Sequence, residues 1–342
     1  MRVVVVGHNV RNVAESARKA GWDVLAITKY VDADLKLYAK AKRFEDTKDL
    51  AEIVDSIAES LNAHVVLTSG CEDLPVKSEV LGVAPKVAGR ILDKLRFYRT
   101  LERAGIPFPE LRREPPCIIK PRRGGGGLNI RFLKNGKIPR GFIAQRFVRG
   151  VPCSVSLIVG ERYIKPIAVN EILVGWRILN AKDFVYCGNI TPLQLHPKRL
   201  IEIAIEVAEL FDVVGTVGVD FVLADKPFVL EMNPRFQGSL DSIEWSMDVN
   251  VFDMHVKACF GEDVEVPKPK RFACRAVMFS PKDLTVRTSL TGNPFFADVP
   301  NVGERVRIGD PLISIRSSGR SRDDVLNKIG RSILTLRSLL GF

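Results

Sequence analysis

The stretch 214–236, VGTVGVDFVLADKPFVLEMNPRF, decides how the rest of the chain is read. Two runs rich in Val, Phe and Leu flank Ala224-Asp225-Lys226-Pro227, a turn-like spacer with a proline, which is the pattern of a β-hairpin. A four-residue loop would pair Leu223 with Phe228, and that register sets Asp220 directly opposite Glu231. Side chains alternate along strands, so Val217, Val219, Phe221 and Leu223 share an apolar core face with Phe228, Leu230 and Met232. The other face carries Gly218, Asp220 and Val222 against Val229, Glu231 and Asn233. Like charges facing one another across a ladder repel. Something positive is expected between the two acids: either a cation they share, or arginines on a solvated sheet face.

Upstream of the hairpin, PPCIIKPRRGGGGLNIRFL runs from a strand (Cys117 to Lys120) through Gly124, Gly125, Gly126 and Gly127 into a second strand (Asn129 to Leu133). Four glycines are costly in backbone entropy, and a hairpin turn needs only about two residues. The surplus suits a loop that folds over a ligand with its N–H groups exposed; a loose surface loop is the plainer reading. Lys120 at the strand end, with Arg122 and Arg123 on the loop, favours a phosphate, although those two arginines could equally face water. Before this segment, ILDKLRFYRTLERAG (91–105) reads as an amphipathic helix. Its Lys94 is either a phosphate ligand or a solvated helix lysine. After it, GFIAQRFVRGVP is a strand ending at a glycine, and PKRLIEIAIEVAELFD (197–212) is a helix with an apolar stripe.

Residues 1 to about 88 alternate strand and helix signals: Arg2–Val6, a helix up to Gly21, Val24–Ile27, the helix 50–61, and Ala63–Leu67. This indicates an open parallel α/β sheet. Gly7 and Gly70 follow strands, where ligands of such sheets bind, although a lone Gly7 fits a tight turn as well. Leu240 to Gly261 reads as helix interrupted near Asn250. Beyond Pro267-Lys268-Pro269-Lys270 lie a short β-rich tail and a last helix from Arg322.

The totals exclude several classes. With 342 residues there is room for two or three domains. No stretch approaches the roughly 18 uncharged apolar residues of a membrane span, and the start is too short in apolar residues for a signal peptide. A cytoplasmic protein without membrane attachment is expected. The six cysteines are scattered without a CxxC pair, so neither a zinc site nor a disulfide framework is signalled. The net charge of +11 suits nucleotides and acidic small molecules. Aromatics are not interleaved with the basic residues, which argues against nucleic acid as a partner.

In order and spacing, "DK…GIPFP", "IIKPRRGGGG" and "VDF…LEMNPRFQ" together resemble the ATP-grasp superfamily of ATP-dependent carboxylate–amine (or thiol) ligases, and are nearest to an archaeal-type group within it. The resemblance covers residues 1 to about 315. It implies an α/β fold in which two α+β lobes grip ATP (89–265, hinge near 145–150), preceded by a Rossmann-like pre-ATP-grasp domain (1–88) and followed by a small β-rich domain with a terminal helix (266–342). By the resemblance, Lys94 and Lys120 hold the ATP phosphates and Gly124 to Gly127 cover them. Gln145 lies at the adenine hinge, where the backbone of Arg146, Phe147 and Val148 bonds the adenine edge. Asp220, Glu231 and Asn233 correspond to magnesium ligands (manganese being the other candidate), and Arg235 to the residue that, with Lys120, stabilises the transferring phosphoryl group.

The implied reaction activates a small-molecule carboxylate as an acyl phosphate and joins it to an amine or similar nucleophile, releasing ADP and phosphate. The alternatives are a carboxylase or kinase-like enzyme on the same fold, or a non-catalytic nucleotide-binding protein. A homodimer is the assembly common in the superfamily. In biotin carboxylase the "EMNPRFQ" motif continues to a glutamate, but Ser239 stands there in this chain, which speaks against bicarbonate activation. The ribose contact expected near Gly150 finds only Pro152, Cys153 and Ser154. Arg177, Tyr186 and Asn189 are candidates to meet the substrate or to be structural.

Overall fold

The computed structural model describes residues 1–133, 137–195 and 198–342. Strands β1 (Arg2–Gly7), β2 (Asp23–Thr28), β3 (Lys40–Arg43) and β4 (His64–Leu67) form a parallel sheet in the order β3-β2-β1-β4. Helices α1 (Arg11–Lys19) and α2 (Leu50–Leu61) cover opposite faces. Val3 and Val5 pack towards Ala14 and Ala17 of α1, and Val4 and Val6 towards Leu50 and Val54 of α2. A strand buried on both faces has no polar alternation, which is why β1 reads as an unbroken valine run.

Helices α3 (Pro85–Ile91) and α4 (Lys94–Arg103) lead to a small antiparallel sheet, β6-β5-β7, made of β5 (Cys117–Pro121), β6 (Arg131–Phe132) and β7 (Phe142–Arg146). Helix α4 is shorter than the sequence suggests because Asp93 caps it, accepting from the Arg96 amide at 3.3 Å. The strand expected over 129–133 is confined to Arg131–Phe132, with Asn129 in a left-handed conformation at φ 61°.

The remaining elements are β8 (Val151–Val159), β9 (Ile164–Val174), β10 (Tyr186–Thr191), α5 (Lys198–Glu209), β11 (Gly215–Leu223), β12 (Pro227–Asn233), α6 (Leu240–Met247), α7 (Val251–Cys259), β13 (Phe272–Phe279), β14 (Leu284–Thr285), β15 (Phe296–Ala297), β16 (Arg305–Val306), β17 (Pro311–Gly319) and α8 (Arg322–Leu340). The helix expected from Pro197 starts at Lys198, and Pro197 itself lies outside the described residues. Asn250 caps α7 and accounts for the break after α6. Eight strands build one large sheet, β12-β11-β8-β9-β10-β13-β17-β15, while β14 and β16 pair separately. The tail strands therefore continue the sheet that carries the acidic hairpin. No described helix is long and apolar enough to cross a membrane.

One face of the large sheet is apolar. Val155, Leu157, Val217, Val219 and Phe221 pack on the α5 stripe of Leu200, Ile203, Ala204 and Val207. The opposite face carries Asp220, Ser154 and Asn170 side by side, because β11 pairs Asp220 with Ser154 and β8 pairs Ser154 with Asn170.

The ends of the chain are joined by buried charge. Arg11 of α1 is fully buried and donates to both carboxylate oxygens of Asp241 at 2.8 and 2.7 Å, to Glu15 at 2.7 Å and to Asp298 at 3.1 Å. Arg275 donates to Asp298 at 2.6 Å, and Arg316 of β17 to Glu15 at 3.0 Å. Buried charges persist only when answered in this way.

Candidate active site

The site is assembled on the β11–β12 hairpin. Asp220 does face Glu231, and Gly218 faces Asn233, but the register differs from the sequence reading. The turn spans three residues, pairing Leu223 with Pro227, and a β-bulge between Asp220 and Phe221 restores the acid pairing. The extra residue, Leu230, shifts the pattern, so Val229 joins the apolar core in place of Phe228 and Leu230. The Leu230 carbonyl accepts from the Tyr98 hydroxyl of α4.

Helix α4 presents Lys94 and Tyr98 one turn apart on the same face. Lys94 Nζ lies 3.1 Å from Glu231 and donates to the Gly124 carbonyl at 2.5 Å. Lys120, at the end of β5 and 4% exposed, donates to the Tyr98 hydroxyl at 2.5 Å. Burial, with Lys94 close by, pushes the Lys120 ammonium down to about 7. Burial pushes Asp220 up to about 7, and repulsion from Glu231 adds to it. Burial would raise Glu231 also, but Lys94 and Lys120 outweigh it and hold that carboxyl below its ordinary range. The face thus concentrates two ammonium groups and two carboxylates, and a sheet face solvated by arginines is not what forms.

Among the described residues no cluster of three or more His, Cys, Asp and Glu side chains converges as an all-protein metal cage. The donors that do converge are the carboxylates of Asp220 and Glu231, with the Asn233 amide, whose Nδ2 donates to Asp220 at 3.1 Å. Two carboxylates suit a hard divalent cation that keeps water or phosphate oxygens for its other positions, while the Asn233 amide oxygen accepts from Arg235 and would join them only by giving up that bond.

Above the hairpin, the glycine loop uses left-handed conformations at Gly124 (φ 127°), Gly126 (φ 68°) and Gly127 (φ 72°). The Tyr186 amide donates to the Gly126 carbonyl at 3.0 Å, and a Cβ on Gly127 would overlap the Phe184 carbonyl. The loop is thereby closed onto the segment before β10. Neither loop arginine is aimed at open space. Arg122 donates to both oxygens of Asp93 at 2.7 and 2.6 Å, and Arg123 to Asp73 at 2.7 Å and the Gly89 carbonyl at 2.8 Å.

Gln145 is buried on β7, where its Nε2 donates to the Pro109 carbonyl at 2.6 Å. The amides of Arg146 and Phe147 donate to the carbonyls of Glu110 and Pro116 at 2.8 and 3.0 Å. Those two N–H groups are engaged within the chain.

Arg235 is brought to the hairpin by a residue that the sequence reading missed. Its Nε donates to Glu72 Oε1 at 2.5 Å, its Nη1 to the Phe236 carbonyl at 2.9 Å and its Nη2 to Asn233 Oδ1 at 3.1 Å. Glu72 stands in the turn after β4, with Oε2 accepting from the Gly70 amide at 2.8 Å. The signal was present as two adjacent acids, Glu72 and Asp73, just beyond Gly70 in the turn that follows a strand. His8, after β1, packs its ring on Gly70. Burial and Lys29 lower the His8 imidazole, against the pull of Glu72.

Of the substrate candidates, the Tyr186 hydroxyl donates to Asn189 Oδ1 at 3.1 Å and Asn189 Nδ2 to Ser242 at 2.5 Å, within a buried polar floor beside the hairpin. Arg177 is exposed on a turn and joins neither. Ser239 is buried 3.3 Å from Ser156. Gln237 accepts from Ser156 at 2.6 Å and fills the space where Gly218 has no side chain.

A glycine loop and Lys120 of the small sheet thus meet Lys94 and the acid-bearing hairpin of the large sheet. A family model for the ATP-grasp domain matches residues 91–239. The chain is 25% identical over 352 residues to an uncharacterised protein of Methanocaldococcus jannaschii, covering 92% of this chain and 88% of that one. It is 30% identical over 213 residues to tyramine–L-glutamate ligase of Methanocaldococcus fervens, covering 57% of this chain and 67% of that one. The biotin carboxylase domain of Hydrogenobacter thermophilus 2-oxoglutarate carboxylase, solved with MgADP and bicarbonate, shares the fold with a TM-score of 0.77 at 15% identity, covering 98% of this chain and 89% of that one. The chain belongs to the ATP-grasp superfamily, whose enzymes include ligases and carboxylases.

Proposed function

We propose that the protein is an ATP- and Mg²⁺-dependent ligase that activates a small-molecule carboxylate as an acyl phosphate and joins it to an amine or similar nucleophile. The observation that carries this reading is the convergence of Lys94 and Lys120 on Glu231 and Asp220 beneath the glycine loop. Phosphoryl transfer needs positioning and charge neutralisation more than covalent participation by the protein, and these residues supply both. Lys94 and Lys120 hold the phosphates, Gly124 to Gly127 cover them, and Gln145 to Val148 border the base.

Asp220, Glu231 and Asn233 hold Mg²⁺, which when bound neutralises charge on the phosphoryl oxygens. The substrate carboxylate attacks the γ-phosphorus as the bond to ADP breaks, and Arg235 answers the charge on the transferred group. The nucleophile then attacks the acyl carbon, and phosphate leaves with the electrons of the broken C–O bond. We extend the proposal to the three-part division 1–88, 89–265 and 266–342, with the third part joined to the second through the pairing of β10 with β13. Ser239 supports the ligase over bicarbonate activation. The likeness to one tyramine–L-glutamate ligase supports an amine acceptor.

The test is incubation with MgATP, hydroxylamine and a panel of metabolite carboxylates. Hydroxamate together with ADP is the expected product. Intact MgATP binding with no hydroxamate from any acid on the panel, but a stable phosphorylated product, would replace the ligase with a kinase.

A further inference from the structure

We propose that Glu72 is the positioning residue for Arg235, so that the strand-end turn of the N-terminal sheet sets the aim of the phosphoryl-binding guanidinium. The proposal rests on the ligase reading only in taking Arg235 to face the transferring phosphoryl group. Glu72 is 6% exposed and its two oxygens are used differently. One accepts from Arg235 Nε at 2.5 Å, and the other from the Gly70 amide at 2.8 Å. The carboxylate is therefore fixed to the turn before it fixes the arginine. Gly70 holds that turn at φ 83°, with the His8 ring where a side chain would stand.

Among the described residues, three of the five guanidinium N–H groups of Arg235 have partners: Glu72, the Phe236 carbonyl and Asn233 Oδ1. One N–H remains on each terminal nitrogen, a pair suited to two oxygens of a single phosphoryl group. A guanidinium held on three sides loses little freedom when it takes up that group, which is how a pre-aimed donor favours a transition state over a ground state.

The neighbouring residue acts on the other side of the site. Asp73 takes Arg123, which opens the glycine loop. One turn of the N-terminal sheet thus holds both an arginine at the exit of the acidic hairpin and an arginine at the start of the loop. Among the described residues Glu72 bonds the Gly70 amide and Arg235 and neither of the two lysines nor the two hairpin acids, so its effect reaches the chemistry through Arg235.

The test requires no knowledge of the acid substrate. MgADP affinity is measured calorimetrically on the full chain with and without aluminium fluoride, which adds a planar mimic of the transferring phosphoryl group. Wild type should bind MgADP and gain about a hundredfold with fluoride. Glu72→Gln keeps the shape and should bind MgADP within about threefold of wild type while losing about 10- to 100-fold of the fluoride gain. Arg235→Ala should lose the same gain, and adding Glu72→Gln to it should cost nothing further, because the two act as one unit.

A merely structural Glu72 would lower MgADP affinity and unfolding temperature together and would add to Arg235→Ala; that result overturns the proposal. An unchanged fluoride gain in Glu72→Gln overturns it as well. A wild type that binds MgADP but gains nothing from fluoride overturns the pre-aimed Arg235. A wild type that binds no MgADP sinks the ligase reading itself.

Discussion

Replacing Tyr98 with phenylalanine removes one oxygen from the centre of the site and leaves every carbon in place. Tyr98 is fully buried, and its hydroxyl accepts from Lys120 at 2.5 Å while donating to the bulged Leu230 carbonyl. A hydrogen bond to a charged group is worth about 1.5–3 kcal/mol, and leaving a buried carbonyl unpaired costs about 1–3 kcal/mol. Both losses pass through one atom and so do not add fully; about 3 kcal/mol of folding stability is the expected cost. Lys120 already sits near 7, and without its hydroxyl partner a smaller fraction is charged at neutral pH. MgADP affinity should therefore fall about tenfold, which corresponds to about 1.4 kcal/mol. Urea unfolding followed by circular dichroism gives the first quantity and calorimetric titration the second, each alongside Lys120→Met and the double variant. The double variant should be little worse than Lys120→Met. A stability loss under about 0.5 kcal/mol, with affinity unchanged, would mean that the hydroxyl does not hold the ammonium.

Three further outcomes are expected. Glu231→Gln removes one of the two carboxylates offered to the cation and should abolish hydroxamate formation while leaving the far-ultraviolet circular dichroism unchanged; retained product would remove Glu231 from the metal site. Gly127→Ala places a methyl group against the Phe184 carbonyl in a left-handed conformation, so the loop must lift. Nucleotide dissociation, measured by stopped-flow, should quicken several-fold, with about 1–3 kcal/mol of stability lost; an unchanged rate would mean that the loop does not need this contact.

His255 accepts from the Thr216 amide at 2.8 Å and is buried, which lowers its imidazole to about 4. Because the folded value lies below the ordinary 6.5, its contribution is complete above about 6.5 and is lost as pH falls through about 4, about 3 kcal/mol in all. Burial raises Glu244 to about 7, and its contribution runs the other way, fading as pH rises from about 4.5 to 7. Unfolding free energies at pH 4.5 and 7.5 should therefore separate His255→Gln from wild type, with the variant losing less on acidification. Equal slopes would show the histidine to be irrelevant.

Much of the site could be read from the sequence because its residues lie where local rules are strong. The acids sit on a hairpin, the glycines crowd one loop, and Lys120 ends a strand. The acid pairing was reached by the wrong route, since a bulge at Leu230 compensates for a shorter turn and bulges leave little mark in single-sequence alternation. What could not be read is tertiary. Arg122 and Arg123 look like phosphate ligands along the chain, but Asp93 and Asp73 reach them from 29 and 50 residues away. Glu72 lies 163 residues from Arg235, and no periodicity connects the two. Tyr98 was within reach, one helical turn after Lys94, but its hydroxyl gains meaning only once β5 and β12 are placed around it.

The buried charge that joins the chain ends bears on how the protein is made. Arg11 leaves the ribosome before two of its partners, since Asp241 and Asp298 lie 230 and 287 residues further on. At about 5–20 residues per second, the last of these partners is synthesised roughly 15 to 60 s later. Until then the first helix carries a cation that its finished surroundings bury completely. The N-terminal sheet can form its strands while nascent, but the face that carries Arg11 stays open to water until those partners arrive. A chain truncated before residue 298 lacks one of the carboxylates that bury this guanidinium, so strands late in the sequence complete the surroundings of a helix near its start.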